Sequence, residues 1–330
     1  MRVLHFNRFS HSGQTTHVFA LVDEQQRQGL AAKLIMESYP AYQALEMYRQ
    51  TIARLGAVII SPNDQAALSR QITDNRWQLI HAHSSLTFPT AAALAQKLGV
   101  PFVVTCHGLG LNQQEHRPFL QQASAVICIS PRVAHSLREF ADKVRVVPNG
   151  VDLAEFVPGE KGEPLKIALV SRVDGTKTKG FLQFCKAVEL FEDLEFYVAG
   201  NKKPPGSKAC YLGWTNEIAP LLARTDILAG TGRAVIEGLA AGNAVLVLGR
   251  NYQGIVTPEK ARQKHLDLSG LAGSEPCYRT IFFDLGLLIQ NRAALRSLQR
   301  FGRELAEREF DNRQLTKKIT GIYRQVLERS

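Results

Sequence analysis

The chain has 330 residues, 45% hydrophobic and 21% charged, which suits a folded globular enzyme of two domains and excludes a disordered or fibrous chain. Its formal net charge is +10, yet residues 1–150 hold 14 basic and 9 acidic side chains and residues 151–330 hold 26 and 21, so each half carries +5. That even excess suits an anionic substrate or an anionic membrane face; with no basic arm or tail, a nucleic-acid partner is not expected.

Cys106, Cys128, Cys185, Cys210 and Cys277 are scattered and form no CxxC pair, which reads as reduced thiols in a cytosolic setting. Val3–Phe6 is too short for the apolar region of a signal peptide, and no apolar run approaches the roughly 20 residues of a spanning helix. The expectation is a soluble cytoplasmic protein, with at most peripheral contact at the inner face of a membrane.

Strand and helix signals alternate along the chain. Arg2–Asn7 reads as a buried strand that ends in Ser10-His11-Ser12-Gly13, and an amphipathic helix follows from about Gln14 to Gln28. Further strand-like runs are Lys33–Met36, Ala57–Ile60, Gln78–Ala82, Pro101–Cys106, Ala125–Ile129 and Val144–Val147, with helical patterns between them such as Pro89–Leu98 and Pro131–Phe140. Short apolar strands separated by helices imply a parallel sheet covered on both faces. Val147–Pro164 concentrates Pro, Gly and Asn and reads as a turn-rich connection. The alternation restarts with a strand at Lys166–Val170, a helix near Gly180–Leu190, a strand at Glu195–Ala199 and a helix near Thr215–Ala223. A strand at Asp226–Ala229, a small-residue helix, a strand at Ala244–Leu248 and helices at Asn291–Arg308 and Asn312–Glu328 complete it.

Gly230-Thr231-Gly232 opens a helix that carries one acid, Glu237. A glycine turn feeding a helix N-terminus can hold phosphate, because free backbone N–H groups and the helix dipole point to one place. It is not the dinucleotide fingerprint, since the third glycine position is Val235, and there is no GxxxxGK[ST].

Val144–Gly159 (VRVVPNGVDLAEFVPG), Ser171–Gly180 (SRVDGTKTKG) and Gly232–Val247 (GRAVIEGLAAGNAVLV) together resemble glycosyltransferase family 4. The resemblance implies the α/β GT-B fold: two Rossmann-like, doubly wound parallel-sheet domains facing across a cleft. The expected parts are an acceptor-side domain over 1–155, a nucleotide-sugar-binding domain over 156–310, and a helix over 311–330 that packs back on the first domain with Phe310 and Tyr323 as anchors. It also implies a retaining transfer from a nucleotide-sugar, uridine being the favoured base, to a glycan or lipid-linked acceptor. No cofactor or metal is expected, and the chain has no Asp-x-Asp pair to hold a metal on a diphosphate.

The resemblance gives Glu237 both ribose hydroxyls of the nucleotide, a task that suits one carboxylate. A second Glu eight residues earlier is usual in the family; here that position is Ala229, which leaves the sugar contact open. Gly230, Thr231 and Gly232 can offer backbone N–H groups to the diphosphate. In the family an Arg and a Lys after the strand that matches Lys166–Val170 neutralise the leaving diphosphate. Arg172 fits the first; Lys179, in its Lys-Gly context, is preferred for the second over Lys177.

In the first half, Gly13 lets the loop approach a ligand, with Ser12 and Gln14 as contacts and His17 as either a ligand group or a structural one. His107, just after a strand, matches the family His that touches the transferred sugar, and Asn149 and Gly150 form the turn between domains and are expected to line the cleft, with Asn149 as a donor contact, the plain alternative being that they only turn the chain. His81, His83, Cys106 and His107 raise the question of zinc, but strand alternation sends Cys106 and His107 to opposite faces. Two rival readings remain: a nucleotide-sugar-binding protein without transfer activity, kept open by Ala229, and a nucleotide-sugar 2-epimerase, which would need several acid/base carboxylates.

Overall fold

The apolar runs become the strands of two sheets in a computed structural model that describes residues 1–39, 42–72, 76–206, 208–263 and 266–329. The chain divides into unit 1, Met1–Gly150 with Asn312–Ser330, and unit 2, Val151–Asp311.

Unit 1 holds β1 (Arg2–Arg8), β2 (Ala31–Glu37), β3 (Val58–Ile60), β4 (Leu79–Ala82), β5 (Phe102–Cys106), β6 (Ala125–Cys128) and β7 (Val144–Val146). They form one sheet in the order β3-β2-β1-β4-β5-β6-β7, with every pair parallel. Alternate side chains feed two cores, as strand geometry requires. Leu4, Phe6, Ile80, Phe102 and Val104 pack with Phe88 on one face. On the other, Val3, Leu79, Val103 and Ile127 pack with Leu315, Ile319, Tyr323 and Val326 of the last helix, Asn312–Leu327. Gly150 lies against this helix's first residue: a Cβ there would sit 2.6 Å from the Asn312 Cα, so any side chain would force the backbones apart.

Unit 2 holds β8 (Leu165–Ser171), β9 (Leu194–Gly200), β10 (Cys210–Gly213), β11 (Ile227–Gly230), β12 (Ala244–Leu248) and β13 (Tyr252–Ile255), in the order β10-β9-β8-β11-β12-β13. The expected all-parallel sheet is corrected at its edge, where β13 runs antiparallel to β12. The three residues Gly249–Asn251 between them allow only a hairpin return, since a parallel neighbour needs a crossover of a dozen residues or so. Phe310 packs in unit 2 with Val151, Leu239 and Leu305, and its carbonyl accepts the Val151 N–H at 2.8 Å. It therefore does not anchor the last helix; Tyr323, fully buried in unit 1, does.

Among the described residues no helix is long and apolar enough to cross a membrane.

Candidate functional site

In unit 2 the strand order reverses between β8 and β11, which pair directly with Val170 opposite Gly230. Open α/β sheets bind ligands outside the carboxyl ends of their strands at such a point. The loops that leave β8 and β11 there are the two that the sequence singled out.

The loop after β8 carries Arg172 and is folded by Asp174. The Asp174 carboxylate accepts from the Thr176 N–H (3.0 Å), the Thr176 hydroxyl (2.6 Å) and the Lys177 N–H (3.3 Å). Lys177 thus stands at the loop's end, just before the helix Thr178–Val188, and its Nζ donates to the Thr231 Oγ1 at 3.4 Å. Burial holds the Lys177 ammonium below the usual lysine range; Asp174 opposes this and the nearby Arg172 charge adds to it. Lys179, preferred from the sequence, lies on the first turn of that helix and pairs with Glu275, with side chains 53% and 75% exposed. The structure therefore brings Lys177, rather than Lys179, to the glycine loop.

After β11, Gly230 and Thr231 lead to Gly232, whose φ of +57° lies in the left-handed region that glycine enters without steric cost. The Gly232 N–H is already given to the Leu268 carbonyl (2.6 Å), so the free donors belong to the first turn of the helix Arg233–Ala240. Glu237 stands one turn in, its Oε1 2.6 Å from the Arg233 Nε, with both side chains nearly buried. Burial pushes the Glu237 carboxyl above its ordinary range while Arg233 pulls it back. Ala229 is fully buried in β11 and belongs to the apolar core with Leu169, Ile227 and Leu246. Strand alternation turns that position into the core, away from the loop where a family carboxylate would be needed.

In unit 1, Gly13 is the first residue of the helix Gly13–Arg27 that follows β1. Ser12 bonds Ser10 (Oγ to Oγ, 2.7 Å), and the Gln14 side-chain amide donates to the Asn7 Oδ1 at 2.8 Å. His107 follows β5, and neither of its ring nitrogens has a hydrogen-bond partner among the described residues. Burial pushes its pKa down to about 3, so it is a neutral imidazole at physiological pH. The His17 ring stands edge-on to it, centroids 5.2 Å apart, and the buried Asn149 Oδ1 also has no hydrogen-bond partner among the described residues.

His81 and His83 join a buried network. His81 bonds the Tyr323 hydroxyl (2.5 Å) and the Thr105 hydroxyl (2.7 Å); His5 bonds His83 (3.0 Å) and the Gln25 Oε1 (2.8 Å). Ligand-capable atoms of His5, His81 and His83 lie within 4.8 Å of one another, close enough to share an ion, but both nitrogens of His5 and of His81 are already bonded. Cys106 packs with Val104 and Cys128 in the apolar core.

Sequence reasoning missed His5 and Arg233. His5 was hidden as one polar residue in an apolar strand run. Arg233 left a readable signal: a cation at the positive end of a helix dipole works against helix stability.

The fold, two doubly wound α/β units, is that of GT-B chains. Residues 11–155 match the family model for Glycosyltransferase Family 4, in line with the resemblance seen in the sequence. The chain is 32% identical over 104 residues to an uncharacterized glycosyltransferase, YqgM, of Bacillus subtilis, covering 27% of this chain and 28% of that one. It is 22% identical over 258 residues to the UDP-Gal:alpha-D-GlcNAc-diphosphoundecaprenol alpha-1,3-galactosyltransferase of Escherichia coli, covering 60% and 64%. The alignments thus span less than two thirds of these relatives' lengths. Among solved structures it is similar to Anabaena Alr3699/HepE in complex with UDP and glucose, with a TM-score of 0.73, 14% identity, and 98% and 100% of the two chains covered.

Proposed function

We propose that this chain is a retaining, metal-independent glycosyltransferase that moves a sugar from a nucleotide-sugar, a UDP-sugar, to a glycan or lipid-linked acceptor. The observation that carries the reading is the meeting of Lys177 with Thr231 at the switch point of unit 2, with Arg172 close enough to bear on the Lys177 charge. One cation meeting a glycine loop before a helix N-terminus, with a second near enough to act on it, suits a diphosphate. Glu237, one turn further, then accepts the ribose hydroxyls. The UDP bound to Anabaena HepE and the UDP-galactose donor of the Escherichia coli relative support uridine, and that relative's lipid-linked acceptor supports the acceptor class.

The bond from the anomeric carbon to the diphosphate oxygen breaks, and Arg172, Lys177 and the helix N–H groups stabilise the charge that collects on the phosphate. The acceptor hydroxyl attacks from the same face, and its proton passes to the departing phosphate oxygen. His107, neutral through burial, serves the transferred sugar as a hydrogen-bonding group rather than as an acid.

Calorimetric titration with UDP, GDP and ADP tests the donor site. One nucleotide should bind, and Glu237→Gln should weaken it by about tenfold, or about 1.4 kcal/mol. If none binds to either protein, the donor site is wrong. The two lysines separate in the same assay. Lys177→Ala should lose about 1.5–3 kcal/mol of UDP affinity, the range for a hydrogen bond to a charged group, while Lys179→Ala stays within about threefold. The reverse order would restore the sequence's preference.

The core position of Ala229 favours one second reading, a nucleotide-sugar-binding protein without transfer. Slow release of UDP from a UDP-sugar in water would exclude it.

A further inference from the structure

The two halves of the sequence carry +5 each, but the two units do not. Because Asn312–Ser330 belongs to unit 1, unit 1 holds 19 basic and 10 acidic side chains and unit 2 holds 21 and 20, or +9 against +1. The last helix is the cause. It turns Leu315, Ile319, Tyr323 and Val326 into the core of unit 1 and leaves Arg313, Lys317, Lys318 and Arg324 exposed, with Arg329 just beyond its end. Lys317, Lys318 and Arg324 have no ion-pair partner among the described residues. Charge gathered on one unit sets up a field that draws an anionic partner to that unit.

The neighbouring helices say which partner. The helix Gly13–Arg27 lies against the last helix: the Asn312 side-chain amide donates to the Ala20 carbonyl (3.0 Å), and that of Gln28 to the Arg313 carbonyl (3.1 Å). Through Phe19 and Val22 the same helix packs with Tyr48 and Leu55, which flank the helix Arg49–Arg54. Arg27 and Arg54 both pair with Asp23, and Arg49 pairs with Glu46, yet each of these three guanidinium side chains is more than half exposed. Tyr39, Tyr42 and Met47, in the segment between β2 and the helix Arg49–Arg54, are exposed as well. The Tyr42 ring stands edge-on to Phe9 (5.5 Å), in the loop that leads to Gly13, so this apolar group borders the carboxyl edge of the sheet. A basic face with an apolar, tyrosine-bearing margin suits a lipid interface, where Tyr sits at headgroup level and Lys and Arg meet anionic headgroups. A single-stranded nucleic acid would call for aromatic rings among the cations, whereas the exposed positions of the last helix hold only Arg, Lys and Gln.

Resting on the lipid-linked side of the acceptor reading above, we propose that unit 1 docks on an anionic membrane surface through the exposed side of the last helix and through Tyr39, Tyr42 and Met47. The cations supply the attraction, each worth roughly fivefold in partition at such a surface. The apolar side chains supply a contact that salt screens little.

The test sediments the whole chain with vesicles of phosphatidylcholine alone, or with about 30% phosphatidylglycerol, at about 0.1 M salt. The protein should bind the anionic vesicles and not the neutral ones. The double variant Lys317→Gln/Lys318→Gln should weaken that binding at least about tenfold. Arg296→Gln/Arg300→Gln, an equal loss of charge at exposed positions of unit 2, should change it by less than about twofold. Tyr39→Ser/Met47→Ser should lower the fraction that stays bound at about 0.5 M salt. A wild type that ignores anionic vesicles overturns the proposal. So does an equal loss for the two double charge variants, which would mark a general effect of net charge, and an unchanged salt-resistant fraction overturns its apolar part. Binding to a mixed-sequence RNA with none to vesicles also overturns it and gives the surface to a nucleic acid. Failure of the transferase reading is separate, because the UDP titration uses no lipid: a chain that binds no nucleotide can still bind vesicles, and one that binds UDP can still fail here.

Discussion

Acidification from pH 7 to pH 5 is expected to remove about 4 kcal/mol from the stability of unit 1 through His5 and His107. Burial depresses both, His5 to about 4 and His107 to about 3, against the ordinary 6.5 they regain on unfolding. Their stability is fully present above 6.5. Below it the unfolded chain binds protons that the folded imidazoles refuse, so the loss grows until pH reaches the folded values. By pH 5 each has lost about 2 kcal/mol, and the neighbouring His81 and His83, also held low by burial, add to the trend. The groups are coupled, since His5 bonds His83 at 3.0 Å and the His83 and His107 rings lie 5.9 Å apart, so they titrate as one set. The chain has two tryptophans, and Trp77, nearly buried, belongs to the unit 1 core. Urea denaturation of a Trp214→Phe variant at pH 7, 6 and 5 therefore reads unit 1 alone. A midpoint that does not move over that range would falsify the assignment of these histidines as buried and neutral.

The second large effect concerns Ala229. Replacing it by glutamate, to restore the acid that the family pattern carries, should destabilise unit 2 by about 5–7 kcal/mol at pH 7 and bring no gain in donor binding. The position is fully buried within β11. A carboxyl placed there either stays charged in an apolar core or takes up a proton, and protonating a group of ordinary pKa 4.3 at pH 7 costs about 3.7 kcal/mol. The added atoms also overpack a filled core, which typically costs a further 1–3 kcal/mol or so. The sign with pH is opposite to that of the histidines: the charge penalty is largest at neutral pH and fades as pH falls toward 4. Ala229→Gln, with nearly the same volume and no charge, should show the packing loss without the pH dependence. Thermal melts of both variants across pH 5–8 decide the matter. An Ala229→Glu protein as stable as the wild type, or one that binds UDP-sugar more tightly, would return this residue to the ligand side.

Much of this was legible in the residues. The apolar runs that became β1 to β9, β11 and β12 read as strands from the residues, and the glycine turn before the helix of Glu237 raised the expectation of a phosphate by backbone chemistry alone. Less could be read where a decision depended on distant partners. β10 and β13 are short, and neither has the apolar run of a central strand. The helix Tyr278–Gln290 follows a loop without a cap that the eye would pick out, and its N-terminal residue Cys277 makes no side-chain cap bond.

By itself, the sequence determined the alternation of strand and helix in two α/β halves, because local propensity and strand period are properties of neighbours along the chain. Tertiary structure decided which lysine reaches the glycine loop, because Lys177 and Lys179 differ only in the direction that the Asp174 turn and the following helix give them. It decided that Ala229 faces a core, and that His5, His81 and His83 lose their charge together, because burial and desolvation are set by chain segments far apart in sequence.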